Sequence, residues 1–318
     1  MPNESDSKPV NPLYIIAALL DNHGGDIGLA LDLAKLASEV GCNALAIQRG
    51  TPVSERNARL EMSELAQLRE FCKDRLDFIA APYDISSLDE LQSLNPTAYQ
   101  LEPEVLGHVP LIRQIAKLGK PVFLSLGACT ETEVEKLIKL LDGVKINLLH
   151  CIHAQSVKLE QTALGYIPYL IKKYEHTVGY YGRERGISAP IAAIAMGARV
   201  IEKSFTTDHR LSGANHASSL DRDELRGMVT TLHSILESIA AQEERLPTAV
   251  EMVSDSVPRA TLIASRNLHA GEVIELSMFD VSIGNSGVSP LLSERFIGKK
   301  LAYDLNVGTP LTLGMIQE

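Results

Sequence analysis

No apolar run in this 318-residue chain approaches the roughly 20 residues that a membrane-spanning helix needs. No CxxC pair occurs either. The four cysteines, Cys42, Cys72, Cys129 and Cys151, are scattered, so neither a zinc site nor a disulfide framework is expected. Basic charge is also short. Lys and Arg number 30 against 40 Asp and Glu, a formal net charge of −10, which argues against nucleic acid or an anionic membrane as a partner. The opening MPNESDSKPVNP lacks the basic-then-apolar order of a secretion signal, and residues 1–12 are expected to be a disordered lead-in to a cytoplasmic protein. What remains is 45% apolar and 22% charged, an ordinary soluble balance, with length for one large α/β domain and a small one.

Short β-branched runs alternate with amphipathic runs about eight times. Strands are expected at 14–19, 43–48, 76–81, 97–101, 121–126, 144–151, 176–181 and 199–205. Helices are expected near 26–39, 63–73, 86–94, 109–118, 130–141, 162–173, 188–196 and 221–243. The first is marked by Ile27, Ala30, Leu31, Leu33, Ala34 and Ala37 at helical spacing, and the fifth opens with a capping box from Thr130 to Glu133. Units of this length point to a closed (β/α)8 barrel over 13–243 rather than an open sheet. Residues 244–258 carry no periodicity and end at Pro258, as a linker would. Residues 259–318 change style, with strand-like ATLIASR, the turn HAGE, and SMFDVSIG.

The stretch from Val178 to Leu225 is the most specific. Its VGYYG, GISAPIAAIAMGARVIEKSFT and ASSL segments resemble the N-acetylneuraminate (sialic acid) synthase family. The tail, with SRNLHAGEVI, GVSP, IGKKL and GTPL, resembles the small antifreeze-like (SAF) domain that closes those enzymes. The loop between Gln48 and Ser63 is shorter than the family's. The resemblance implies a barrel that joins phosphoenolpyruvate to an open-chain N-acylmannosamine-type sugar, with manganese or magnesium polarising the aldehyde. It also implies a dimer in which each antifreeze-like domain covers the partner's barrel.

Where the resemblance places the family's chemistry, this chain departs. The two metal-holding histidines are replaced by Arg183 and Ser204. A guanidinium has no lone pair to offer a metal, so no metal is expected. The two phosphate-binding lysines become Ala46 and Gln100, an accompanying serine becomes Pro103, and the first-strand glutamate becomes Ala18. The acidic residue of the Pro-Asp-His turn becomes Asn215, before His216, and the antifreeze-like arginine becomes Ile283. Positions that match are Asn22, His23, Gln48, Ser125 and Glu202. These, with Gln100 and Asn215, form the expected substrate-binding set; Glu202 and Arg183 are the expected catalytic groups. Asn22 and His23 equally suit a cap of the first helix. Arg183 either orients an acidic or carbonyl group of a ligand or fills the vacated pocket by pairing with Glu184 or Glu202. Glu102, Glu104 and His108 form a further acid/base set to test, whereas alternation sends His150 and Cys151 to opposite faces. The expectation is a synthase-family protein that has lost the metal-dependent condensation and binds a sugar, a like chain or an active paralogue. The alternative is an enzyme with a rebuilt, metal-independent site.

Overall fold

The computed structural model describes residues 13–50, 59–154, 157–213, 215–239, 258–284 and 286–317. The expected lead-in, all of the expected linker but Pro258 and most of the short loop after Gln48 lie outside these residues.

Eight parallel strands close on themselves in chain order. They are β1 (Tyr14–Ala18), β2 (Ala44–Arg49), β3 (Asp77–Pro82), β4 (Ala98–Leu101), β5 (Val122–Ser125), β6 (Ile146–Cys151), β7 (Thr177–Gly182) and β8 (Val200–Ser204). Closure is made by β1 against β8, with Ile16 opposite Glu202 and Ala18 opposite Ser204. Helices α1 (Ile27–Glu39), α2 (Met62–Cys72), α3 (Ile85–Gln92), α4 (Val109–Lys117), α5 (Glu131–Leu140), α6 (Tyr166–Lys173), α7 (Ser188–Ala195) and α8 (Arg222–Ser238) each follow a strand.

Strand alternation divides the core in two. One set of side chains packs outward against the helices, including Ile15, Leu45, Phe78, Tyr99, Leu124, Tyr180 and Ile201. The other fills the barrel axis, with Ile16, Ala44, Ile79, Phe123, Leu149, Cys151, Tyr181 and Val200. Gly179 belongs to the second layer: a Cβ there would lie 2.6 Å from Val200 Cβ and 2.7 Å from Leu149 Cδ2. Glycine is needed because two large side chains already occupy that point of the axis.

Local signals set the helix starts. Asp26 accepts from Gly28 N and Leu29 N at the head of α1, so the cap expected of Asn22 or His23 falls to Asp26. Thr130 and Glu133 form their capping box, and Asp221 and Glu224 form another at α8. The sixth helix starts later than its periodicity predicts. Ala163 takes a left-handed φ of +48°, which interrupts the run, and α6 begins at Tyr166.

The chain divides into two compact units, Met1–Ala241 and Gln242–Glu318. The second contains an antiparallel pair, β9 (Arg259–Ala264) and β10 (Phe279–Gly284). Its own core is built from Leu262, Leu268, Ile274, Phe279, Phe296, Leu301, Leu305 and Leu311.

Candidate active site at the barrel mouth

The carboxyl ends of the strands bring Gln48, Gln100, Glu102, Ser125, Cys151, Arg183, Glu202 and Ser204 to one end of the barrel. Loops there are where barrels of this kind carry chemistry. Glu202 is fully buried. Gln100 Nε2 donates to its Oε2 at 2.8 Å and Oε1 at 3.0 Å, and lies 3.2 Å from Ser125 Oγ. A neutral amide thus stands against Glu202 where a lysine would have supplied charge. Burial first, then the neighbouring Glu102 charge, pushes the Glu202 carboxyl well above the usual range; Gln100 and Arg183 oppose this. Burial thus disfavours the charged form of Glu202.

Glu102 lies two residues beyond Gln100, where the chain has left β4, and is 2% exposed. Its pKa rises from 4.5 to about 7, chiefly through burial, with Arg183 and a hydrogen bond from Gln48 pulling the other way. Arg183 Nη2 is 3.6 Å from Glu102 Oε2, and the guanidinium lies 5.0 Å from the Tyr181 ring centre, a cation–π seat. Three buried polar atoms here accept or donate no hydrogen bond among the described residues: Gln100 Oε1, Glu102 Oε2 and the Tyr181 hydroxyl. Buried polar groups are normally satisfied, so these mark a place for water or a polar ligand.

The expected partners of Arg183 are corrected by this geometry. Glu184 turns to the outer layer, where Lys203 Nζ lies 3.0 Å from its Oε1 and the Tyr180 hydroxyl donates to its Oε2 at 2.5 Å. Glu202 is held by Gln100. Arg183, just after β7, therefore pairs with Glu102, just after β4, rather than with Glu184 or Glu202. The pairing was missed because Glu102 was grouped with Glu104 and His108. The structure separates these three: Glu104 Oε1 lies 3.4 Å from His153 Nε2, and His108 caps α4 by accepting from Leu111 N. Alternation could have found it, since Glu102 stands two residues past Gln100 and Arg183 two past Tyr181.

The remaining expected residues gather around the loops after β1 and β8. Asn22 Nδ2 donates to Phe205 O at 2.7 Å and Ser219 Oγ at 2.8 Å. Asn215 Nδ2 donates to Asp21 Oδ1. His23 is 7% exposed, its Nδ1 accepts from Gly25 N, and burial holds its pKa below the ordinary value. His216 shares a 2.7 Å hydrogen bond with Thr206 Oγ1. His150 Nε2 meets Thr162 O at 2.7 Å in the outer layer while Cys151 lies inside, as alternation requires.

A divalent metal at the family position does not fit the residues present. The guanidinium of Arg183 carries a positive charge and no free lone pair, and Ser204 contributes a single neutral hydroxyl. Among the described residues His209, Asp221 and Glu224 also cluster at metal-binding distances, although Asp221 and Glu224 are already engaged at the head of α8.

Buried acids, an amide and a guanidinium thus meet at the carboxyl ends of the strands of a closed (β/α)8 barrel, where such folds carry their sites. The chain belongs to the NeuB family, whose pattern it matches over residues 48–244. That family comprises the sialic acid and related nonulosonic acid synthases of carbohydrate biosynthesis. An uncharacterized protein of Methanocaldococcus jannaschii is 31% identical over 92% of this chain and 91% of its own length. The N,N'-diacetyllegionaminic acid synthase of Campylobacter jejuni is 27% identical over 90% of this chain and 94% of its own. Among solved structures, the N-acetylneuraminic acid (sialic acid) synthetase of Leptospira borgpetersenii, in complex with citrate, superposes with a TM-score of 0.71 at 28% identity, covering 76% of this chain and 89% of that one. No helix among the described residues is long and apolar enough to cross a membrane.

Proposed function

We propose that this chain is a NeuB-family protein of surface-carbohydrate biosynthesis that has left the metal- and phosphoenolpyruvate-dependent condensation and acts by binding. The observation that carries the reading is the seat of Arg183. Arg183, at the residue where the family resemblance places a metal-holding histidine, lies over the Tyr181 ring and pairs with Glu102. Phosphoenolpyruvate carries a phosphate and a carboxylate, which require several cations or donors in concert. Arg183 is the cation whose field reaches both mouth acids, and its charge is already engaged. The two lysines that would hold the substrate are Ala46 and Gln100.

The mouth suits the hydroxyl and amide groups of a sugar, which would satisfy Gln100 Oε1, Glu102 Oε2 and the Tyr181 hydroxyl. The tail acts as an antifreeze-like domain in assembly, either in a homodimer or capping an active paralogue. Calorimetric titration tests the reading: N-acetylhexosamines or their acid derivatives are expected to bind and phosphoenolpyruvate is not, with or without manganese. Tight binding of phosphoenolpyruvate would overturn it.

One observation favours a second reading, a rebuilt metal-free enzyme. Glu202 and Glu102 are two neighbouring buried acids, both raised above the usual carboxylate range, and paired acids with raised pKa values are common equipment of general acid–base catalysis. Bond-forming or hydrolytic turnover that disappears in Glu202→Gln would select it.

A further inference from the structure

The amino ends of the strands are normally sealed by packing and carry stability rather than chemistry. In this barrel they open into a cavity of about 230 Å³ whose mainly apolar lining carries a few charged and polar side chains. Its walls come from Tyr14 at the start of β1, Phe123 in β5 and Asn147 in β6, with Lys145 and Arg199 just ahead of β6 and β8. Tyr14 and Phe123 stack with ring centres 5.7 Å apart and form an apolar floor.

Asn147 is only 7% exposed, yet its side-chain amide has no hydrogen-bond partner among the described residues, and it faces this cavity. The amide is therefore free to meet a ligand that enters the cavity. Lys145 and Thr177, also at the cavity, make no side-chain ion pair or hydrogen bond among the described residues. Arg199 spends one nitrogen on Ala198 O at 2.8 Å and has no acidic partner among the described residues. Burial accordingly lowers its pKa. The one lining carboxylate, Asp77, accepts from the Tyr14 hydroxyl at 2.6 Å.

We infer that this cavity is a second ligand site, separate from the mouth, for a small monocarboxylate with an apolar body. Two cations against one carboxylate leave a single positive charge, which a monoanion balances and a phosphate dianion exceeds. A planar carboxylate meets the Arg199 fork and the Lys145 ammonium through charge-assisted hydrogen bonds, the Asn147 amide completes the contact, and the ring floor covers the apolar end. The site does not depend on the function assigned to the mouth. Its walls share strands with it, however: Ala98, Phe123 and Val200 each stand two residues below Gln100, Ser125 and Glu202 on β4, β5 and β8.

Calorimetric titration of the full chain with benzoate, benzamide and inorganic phosphate tests the inference. Saturable binding of one benzoate per chain is expected, at least ten-fold tighter than benzamide or phosphate. Lys145→Ala, Arg199→Ala and Asn147→Leu are each expected to weaken it at least five-fold, with Arg183→Ala leaving it unchanged. Lys145 is exposed and unpaired, so its variant folds whatever happens to the other two. Absence of saturable benzoate binding, equal binding of benzamide or phosphate, an undiminished affinity in Lys145→Ala, or loss in Arg183→Ala would each overturn the assignment.

Discussion

Replacing Arg183 by alanine separates a structural plug from a ligand group, and the structure sets its size. Glu102 is fully buried and titrates near 7 against an ordinary 4.5. A carboxyl whose folded pKa is raised contributes stability that is complete below pH 4.5 and lost as pH rises through 7. At about 1.4 kcal/mol per unit, that loss amounts to about 3 kcal/mol. Arg183 limits it, because its charge holds the Glu102 pKa down. Without the guanidinium Glu102 stays protonated to higher pH, and the loss continues beyond 7. At pH 6 Glu102 is mainly neutral with or without Arg183, so Arg183→Ala removes chiefly the contact with Tyr181, about 1 kcal/mol. At pH 8 the destabilisation is expected to be larger by about another 1 kcal/mol. Urea unfolding at the two pH values, following the barrel transition, measures the difference. A destabilisation equal at pH 6 and 8 would show that Arg183 and Glu102 are not coupled. No destabilisation at either pH, with loss of acidic-sugar binding, would make Arg183 a ligand group instead.

Burial disfavours the charged form of Glu202, and Glu202→Gln keeps its shape without charge, so stability at pH 7 is expected to move by less than about 1 kcal/mol in urea unfolding; a large loss would refute this. Asn22→Leu removes donors to Phe205 O and Ser219 Oγ and is expected to cost about 1–3 kcal/mol in the same measurement, without changing ligand affinity at the floor cavity. Gly179→Ala drives a methyl to 2.6 Å from Val200 Cβ; a drop of at least about 1–3 kcal/mol in stability is expected, and a neutral result would refute the packing of the axis. Arg183→His combined with Ser204→His restores two imidazoles, and elemental analysis is expected to find manganese in the double variant and not in the parent.

Much of the barrel was legible because strand and helix periods are local properties of the chain. The eight strands fall where β-branched runs stand, and the capping box at Thr130 is visible in four residues. The break at Ala163 was not legible, since an alanine gives no sign of the left-handed φ it adopts. At the site, the residue substitutions could be read directly, and Gln100, Ser125, Glu202 and Arg183 do converge. Their partners could not be read. Glu184 is adjacent in sequence to Arg183 but faces the helices, while Glu102 is far away in sequence and shares the axis. Adjacency suggested the wrong acid, and alternation along two strands would have suggested the right one. The cavity at the amino ends left no motif, because Lys145 and Asn147 at the start of β6 and Arg199 ahead of β8 belong to two strand starts that only the folded barrel brings together.

The most direct measurement is phosphate release from phosphoenolpyruvate by the purified chain with N-acetylmannosamine and manganese, beside an active synthase of the family. With Arg183 and Ser204 standing where the family resemblance places the metal-holding histidines, and Ala46 and Gln100 where it places the lysines, release no faster than in the protein-free control is predicted on the proposed reading. Sugar-dependent release on the order of 1–10 per second, an ordinary enzymatic turnover, would contradict the account.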